Sequence, residues 1–432
     1  MLRNSSVCLL FITLILSAQT GCLKVEHPSP EAKSNAEPQP GKVANTPAET
    51  KEPAGNIIPE TGLTDEEIAA GWIALFDGHS LFGWKANNDV NWHVEDGVIK
   101  ADQGKPGLLL TTSPFADYEL KFEFKLTPET NSGMFLRTTF DPKDPSKDCY
   151  ELNLCDQKTE FPTGSLVARS KVDKPLPSSS DWQTCVVSLE GPTIKATING
   201  KDVLNFKDTS ENLRKIGFIG LQKNEGPIEF RKIYLKPLRM STIFNGVDLA
   251  GWSVVPGSQS TFEVVDGTIH VTAEKQGYLE TEETWGDFLF QATAKSNGYA
   301  LNSGYFFRAI KGSETGMANG YEVQIHNGIK EGDRTKPENA GTGAIFRRTE
   351  ARRVVANDHE WFTTTLSAYG PHIAVWIDGY QVTDWTDTRK PDENPRKGLR
   401  LKAGHISLQG HDPTTDLNFK DLKVSSLPSD SP

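Results

Sequence analysis

Six short blocks of sequence occur twice along the chain, in the same order and at similar spacing. The longest pair is Leu75-Phe-Asp-Gly-His-Ser-Leu-Phe-Gly-Trp84 and Ile243-Phe-Asn-Gly-Val-Asp-Leu-Ala-Gly-Trp252. The period of about 170 residues is much longer than the roughly 20–50 residues of a solenoid repeat. The chain is therefore predicted to contain two copies of one complete domain.

The segments within each copy alternate between apolar and polar residues and are bounded by Gly, Pro, Asn or Asp. Helix-period patterns are almost absent after a short capping-box start at Thr64. Many short strands with turn signals at close intervals are typical of two antiparallel sheets packed face to face. We therefore predict an all-β chain with two tandem β-sandwiches of the jelly-roll type. The Gly-Trp end of the longest block is expected to pack into each core.

The repeat also predicts the domain limits. Residues 63–238 are assigned to the first domain and residues 239–428 to the second. Residues 23–62 are rich in Pro, Glu, Ala and Lys and contain few large apolar residues, which predicts a disordered tether. Residues 1–22 are assigned to a signal peptide.

The N-terminus predicts export from the cytoplasm. Arg3 precedes an apolar run, Val7–Leu16, which suits a signal-peptide core and is too short to span a bilayer. Gly21-Cys22 is similar to a bacterial lipoprotein cleavage site, so Cys22 is the expected lipid attachment point. The predicted location is the cell envelope or periplasm; without acylation the chain would be secreted. Any membrane contact is expected only through that anchor.

The charge balance limits the partners. A formal net charge of -11 argues against nucleic acid, which binds basic surfaces. With 9 Trp and 37 Gly, the composition fits a β protein that faces neutral carbohydrate better.

One strand of the second copy carries a polar row. Residues two apart in a strand share a face, so Glu322, Gln324 and His326 are expected on one side of their strand. By the same spacing, Phe306 shares a face with Arg308, and Gln409 with His411. Such a row is costly to bury unless it lines a polar cleft. The alternative is an ordinary solvated face of an antiparallel sheet.

The repeated blocks resemble the 3-keto-disaccharide hydrolase family. The resemblance rests on Phe-Asn-Gly-x-Asp-Leu-x-Gly-Trp, Asn-Ser-Gly-x-Phe-Phe-Arg, Tyr-Glu-Val-Gln-Ile and Gly-x-Ile-x-Leu-Gln-x-His. It covers both copies, from Trp72 to Leu427, and is closer in the second. It implies a concanavalin A-like jelly roll and cleavage of 3-keto-glycosides.

A 3-keto sugar can lose its glycosidic group by elimination, because the C3 carbonyl acidifies the C2 proton. Such a site needs a base, a stabiliser for the enolate oxygen and an acid for the leaving group. We expect Glu322 or His326 as the base, Arg308 as the stabiliser and His411 as the acid. Gln324, Phe306 and Gln409 would bind substrate. Alternatively, a divalent metal ion held by Glu322, His326 and His411 would replace Arg308 as the electrophile; no cofactor is certain.

The first copy keeps Glu151, Arg137 and Gln222 but has Asn153 for Gln324, Cys155 for His326 and Lys223 for His411. It is interpreted as a degenerate copy. Two alternatives to an enzyme remain. The chain could be a non-catalytic tandem lectin-like module, or a purely structural envelope lipoprotein.

Overall fold

The computed structural model describes residues 54–157, 160–177, 179–211, 213–316 and 319–429. The predicted signal peptide, Cys22 and most of the predicted tether lie outside these residues. The described chain is almost entirely β, with short helical turns at Ala54–Asn56 and at α1 (Asp65–Ala69). No helix in the described part is long and apolar enough to cross a membrane.

The first repeat forms two antiparallel sheets. In the larger sheet the strand order is β11-β10-β9-β6-β13-β4-β3, and β1 pairs with β13. The smaller sheet has the order β2-β5-β12-β7-β8. The strands are β1 (Ile73–Ala74), β2 (Trp84–Ala86), β3 (His93–Glu95), β4 (Val98–Ala101), β5 (Gly107–Thr111), β6 (Tyr118–Leu126), β7 (Ser132–Thr138), β8 (Tyr150–Leu154), β9 (Gln183–Glu190), β10 (Thr193–Ile198), β11 (Lys201–Lys207), β12 (Phe218–Lys223) and β13 (Ile228–Pro237).

The second repeat builds the same pair of sheets, in the orders β16-β17-β28-β19-β24-β25-β26, with β14 beside β28, and β15-β18-β27-β20-β21. A small hairpin, β22–β23, is added to it. The strands are β14 (Ser241–Thr242), β15 (Trp252–Val254), β16 (Ser260–Val265), β17 (Thr268–Ala273), β18 (Gly277–Thr281), β19 (Phe288–Ser296), β20 (Ser303–Ile310), β21 (Asn319–Ile325), β22 (Ile329–Lys330), β23 (Asp333–Pro337), β24 (Trp361–Tyr369), β25 (His372–Ile377), β26 (Tyr380–Thr386), β27 (His405–Gly410) and β28 (Asp416–Ser426).

Each pair of sheets encloses its own apolar core, to which both sheets contribute alternate residues. The repeated Gly-Trp block closes each core as expected. Trp84 and Trp252 are buried, and each indole N–H donates to a backbone carbonyl 2.6 Å away, of Leu75 and Ile243 respectively. A buried indole needs such a partner for its N–H. The all-β, two-sandwich prediction is confirmed.

The two sandwiches contact each other directly. Trp376 of β25 packs in the core cluster of the first domain and donates its indole N–H to Ala74 O at 3.1 Å. Arg352 of the second domain pairs with Asp77 at 2.9 Å, and its guanidinium lies over the rings of Phe82 and Tyr380. The two domains are therefore joined by an interface that contains both apolar and ionic contacts.

The segment before the first strand also contacts the second domain. Residues 54–62 belong to the predicted tether. They include the turn at Ala54–Asn56, and the carbonyl of Ile57 accepts a hydrogen bond from Arg353. Helix α1 has the predicted capping box, in which Thr64 and Glu67 bond each other's backbone N–H.

Candidate active site

The candidate site lies on one face of the sheet β15-β18-β27-β20-β21, the face that points away from the core and is here called the site face. Alternate residues of these strands, such as Tyr305 and Phe307, belong to the core cluster, so Phe306 between them points to the opposite side. Phe306 is paired in register with Glu322 of β21 and with Ser407 of β27. The site face therefore carries Tyr278, Glu280, Gly304, Phe306, Glu322, Gln324, Ser407 and Gln409.

Glu322 is a buried carboxyl group of this face, with 5% of its surface exposed; Glu280, also on this face, is paired with Lys311 at 2.9 Å. Its Oε2 accepts a hydrogen bond from Arg396 Nη2 at 3.0 Å. Burial raises the pKa of Glu322, and the positive charges of Arg396, His411 and Arg347 partly oppose the rise. The result is a carboxyl whose pKa is above its ordinary value and which is still held by a cation.

Gly304 allows the Glu322 side chain to lie flat on the sheet. A Cβ at Gly304 would lie 3.1 Å from Glu322 Cγ, 3.3 Å from its Oε1 and 2.8 Å from Val323 O. Real Cβ atoms do not approach a backbone oxygen so closely, so a side chain here would displace either the strand or the carboxylate. The glycine of the Asn-Ser-Gly block therefore shapes the site.

Tyr278 and Gln409 form the polar end of the site face. The Tyr278 hydroxyl accepts hydrogen bonds from Gln276 Nε2 at 2.6 Å and from Gln409 Nε2 at 3.2 Å. Burial raises the pKa of Tyr278 to about 12, so it is protonated at neutral pH. Gln409 Oε1 is buried and has no hydrogen-bond partner among the described residues. A buried oxygen without a partner is costly, which favours a ligand or water at this point.

His411 follows β27 and is oriented by its neighbour. Its Nδ1 lies 2.7 Å from Asp412 Oδ2, and its side chain is 38% exposed. Burial of Asp412 is outweighed by hydrogen bonds from Thr414 and His411, which together lower its pKa. The charge of His411 opposes the rise in the pKa of Glu322, so the two residues lie within electrostatic range of each other.

His326 departs from the expected geometry. Strand β21 ends at Ile325, so the alternation that would carry His326 onto the site face has already ended. Its Nδ1 accepts a hydrogen bond from Gly328 N at 3.2 Å, and burial lowers its pKa against the opposing charges of Glu338 and Asp358. This hydrogen bond and these charges do not involve Glu322, so the structure gives no support to His326 as the alternative base.

Arg308 also requires correction. Its backbone has φ 46° at a β-bulge, which breaks the alternation with Phe306. The guanidinium is fully buried and donates to Gly286 O, Gly370 O and Arg400 O and to Asp287 Oδ1 at 2.8 Å. With its donors occupied in this way, Arg308 holds loops together and does not reach the Glu322 carboxylate.

The two other expected binding residues are on the site face but are covered. Phe306 has no exposed surface and lies between the ring of Tyr278, 5.1 Å away, and the guanidinium of Arg396, 5.0 Å away. Gln324 donates from Nε2 to Asn302 Oδ1 at 2.7 Å, and its Oε1 has no partner in the described chain. Phe306 would contact a substrate only after Arg396 moved.

The expected metal set is not assembled. Among the described residues, no group of three or more His, Cys, Asp or Glu side chains is placed to hold a metal ion. Glu322 is paired with Arg396 instead, and His326 lies elsewhere. The residues present do not fit the ion that the sequence allowed for.

The first domain keeps the same face with different chemistry. Glu151 occupies the position of Glu322, and burial raises its pKa to about 7. No cation is paired with it among the described residues. Register places Lys223 opposite Gly107, as Gly410 is opposite Gly277, so Lys223 replaces Gly410 and not His411 as expected.

Three residues of this site were not predicted from the sequence: Tyr278, Arg396 and Asp412. Register places Leu108 of the first domain where the second has Tyr278. Arg396 lies on the connection between β26 and β27, which is longer than its counterpart between β11 and β12. That extra length in the second copy was the signal that could have indicated an added functional loop.

Comparison with known proteins identifies the family. The model of the 3-keto-alpha-glucoside-1,2-lyase-like domain matches residues 71–236 and again residues 239–425. The chain belongs to this family. The two matches fall on the two sandwiches and together cover more than half of the chain.

Individual relatives are more distant. A 3-keto-disaccharide hydrolase of Bacteroides thetaiotaomicron is 34% identical over 79 residues, which is 16% of this chain and 27% of that protein. A predicted glycosyl hydrolase of Parabacteroides distasonis is 23% identical, with a TM-score of 0.37, over 41% of this chain and 98% of its own. The carbohydrate-binding module CBM66 of Bacillus subtilis is 13% identical, with a TM-score of 0.28, over 36% of this chain and 95% of its own.

Proposed function

We propose that the second domain cleaves 3-keto-glycosides, including 3-keto-disaccharides, by elimination followed by hydration. The observation that carries the proposal is the Glu322–Arg396 pair, a buried carboxyl of raised pKa held 3.0 Å from a guanidinium. Enzymes tune a carboxyl in this way when it must exchange a proton near neutral pH.

Glu322 is the base in this scheme. The C3 carbonyl of the substrate acidifies the proton on C2, and the Glu322 carboxylate takes that proton. Arg396 replaces Arg308 as the group that stabilises the enolate oxygen at C3, since its guanidinium is beside the carboxylate and its side chain is 29% exposed. A cation fixed in a partly dry site stabilises developing negative charge strongly.

His411 is the acid for the leaving group. As the C1–O bond breaks, the electron pair from C2–H forms the C1–C2 double bond and the leaving oxygen takes a proton from His411. Asp412 orients the imidazole from 2.7 Å. Water then adds across the double bond, so the net reaction is hydrolysis with no oxidant or reductant.

The test uses a chromogenic 3-keto-glucoside and its unoxidised parent. The wild-type protein should release the chromophore from the keto compound only. Glu322→Gln should reduce kcat/KM roughly 10²- to 10⁴-fold, the usual contribution of a positioned acid or base. Glu151→Gln, the same change on the matching face of the first domain, is the control and should keep the wild-type rate.

A lectin-like function is the competing reading. It predicts no release from either compound and carbohydrate binding that survives Glu322→Gln and His411→Ala. That combination of results would contradict the enzyme proposal and support a carbohydrate-binding module.

We also propose that the chain acts outside the cytoplasm, tethered through a lipid on Cys22. The support is the signal-like sequence of residues 1–22. Radiolabelled palmitate should be incorporated into the wild type and not into Cys22→Ala. Label in both proteins, or in neither, would contradict lipidation at this residue.

A further inference from the structure

A cavity lies on the other sheet of the second domain, away from the site face. It has a volume of about 740 Å³, is open to solvent on one side, and lies between residues 58–69 and the outer face of strands β19, β24 and β28. Small-molecule sites typically have volumes of roughly 300–1,000 Å³. We name it the Trp361 cleft after the large aromatic residue in its wall.

The roof of the cleft is fixed by contacts with the first domain. Glu67 of helix α1 forms an ion pair with Lys121 of β6 at 2.5 Å. Leu63 packs in a small apolar cluster with Trp72 and Tyr234. Because the roof is held by both ionic and apolar contacts, the cleft is a built feature of the fold.

The lining combines an aromatic ring with hydrogen-bonding groups. The indole of Trp361 is 40% exposed, and Lys420 Nζ lies 4.3 Å from the ring centre. The other polar groups of the lining include Asp65, Thr293, Asn357, Glu360 and Thr363. Hydroxyl, amide and carboxyl groups beside an indole suit a pyranose, whose C–H face packs on the ring while its hydroxyls form hydrogen bonds.

The first domain closes the same position by ion pairs. Trp182 there corresponds to Trp361, and Arg231, which lies 4.0 Å from its ring, corresponds to Lys420. Glu123 is paired in register with Arg231 and binds both it, at 2.6 Å, and Lys232, at 2.9 Å. In the first copy, both cations are therefore paired with the carboxylate of Glu123.

The second domain lacks this closure. Thr293 is paired in register with Lys420, as Glu123 is paired with Arg231 in the first copy. Lys420 forms no ion pair among the described residues. The ammonium thus lies over the Trp361 ring, and no carboxylate among the described residues holds it there.

We propose that the Trp361 cleft is a second carbohydrate-binding site, which takes a short neutral oligosaccharide and is independent of the site face. Neutral sugars are favoured because carboxyl groups outnumber the single Lys420 ammonium in the lining. Anionic sugars would be repelled.

The test measures sugar binding by titration calorimetry, with maltotriose, cellotriose and anionic trigalacturonate as probes. At least one neutral trisaccharide should bind and trigalacturonate should not. Trp361→Ala should weaken binding about tenfold, which corresponds to about 1.4 kcal/mol. Thr293→Glu installs the closing carboxylate of the first domain and should abolish binding without unfolding the protein.

The controls separate this site from the proposed active site. Trp182→Ala and Glu322→Gln should both bind as the wild type does, and thermal unfolding should show that every variant is folded. Absence of binding by all three probes would overturn the proposal. So would neutral-sugar binding that survives both Trp361→Ala and Thr293→Glu, or that is lost in Glu322→Gln.

Discussion

The guanidinium of Arg396 lies 3.0 Å from the carboxylate of Glu322, although 74 residues of sequence separate them. Its charge opposes the rise in pKa that burial imposes on the carboxyl group. One residue thus sets both the ionisation of the proposed base and the charge near the proposed enolate.

Arg396→Ala should therefore shift the pH dependence of activity as well as lower the rate. Without the guanidinium, the pKa of Glu322 rises further, so the acidic limb of kcat/KM should move to higher pH. The pH profile with a chromogenic 3-keto-glucoside measures this. Arg239→Ala, at an exposed position on the boundary between the two domains, is the control; an unmoved limb in Arg396→Ala would exclude Glu322 as the base.

Gly304→Ala should reduce activity because the new Cβ would meet Glu322 Oε1 at 3.3 Å and Val323 O at 2.8 Å. We expect a loss of about 1–3 kcal/mol in the free energy of unfolding, as for overpacked sites, together with a fall in kcat. Gly133→Ala is the matched variant of the first domain, where the Cβ would lie 3.1 Å from Glu151 Oε1. It should lose stability and keep the kcat; equal kcat values for the two variants would contradict the site assignment.

Arg308→Ala should destabilise the second domain by about 3–5 kcal/mol, because it leaves buried carbonyls and Asp287 without their partner. Arg308→Lys should not restore stability, since one ammonium cannot replace a planar guanidinium that bonds in several directions. Urea unfolding measures both. If Arg308→Lys were fully stable but inactive, Arg308 would have the chemical role that its contacts argue against.

The repeat and the period-two alternation predicted the architecture because both depend on local pattern. The same alternation put Glu322 and Gln324 on one face correctly. It failed at Arg308, where a bulge with φ 46° rotates the chain, and at His326, where the strand ends. Neither a bulge nor a strand end has a signal in apolar periodicity.

Arg396 could not be predicted for a different reason. It lies on an irregular connection, and its pairing with Glu322 arises only when the chain folds back over the sheet. Long-range contacts of this kind leave no trace in one sequence. The extra length of the connection indicated a functional loop but not which residue of it reaches the site.

Asp378 lies in the turn between β25 and β26. Burial, reinforced by the charges of Asp65 and Glu360, raises its pKa to about 6, while its Oδ1 accepts a hydrogen bond from Thr363 N. The unfolded chain releases this proton near the ordinary pKa of 3.8. The free energy of unfolding should therefore fall as pH rises from about 4 to 6, and stay lower above that.

Asp378→Asn should remove the free-energy cost of ionising this buried carboxyl group. The free energy of unfolding at pH 7 should therefore rise by about 1–3 kcal/mol. The first domain supports the choice, because Asn199 occupies the same turn and accepts from Thr184 N at 2.9 Å. Urea unfolding at pH 4.5 and pH 7.5 measures the effect, which should be large only at the higher pH. A gain that is equal at both pH values would show that the buried charge of Asp378 is not its source.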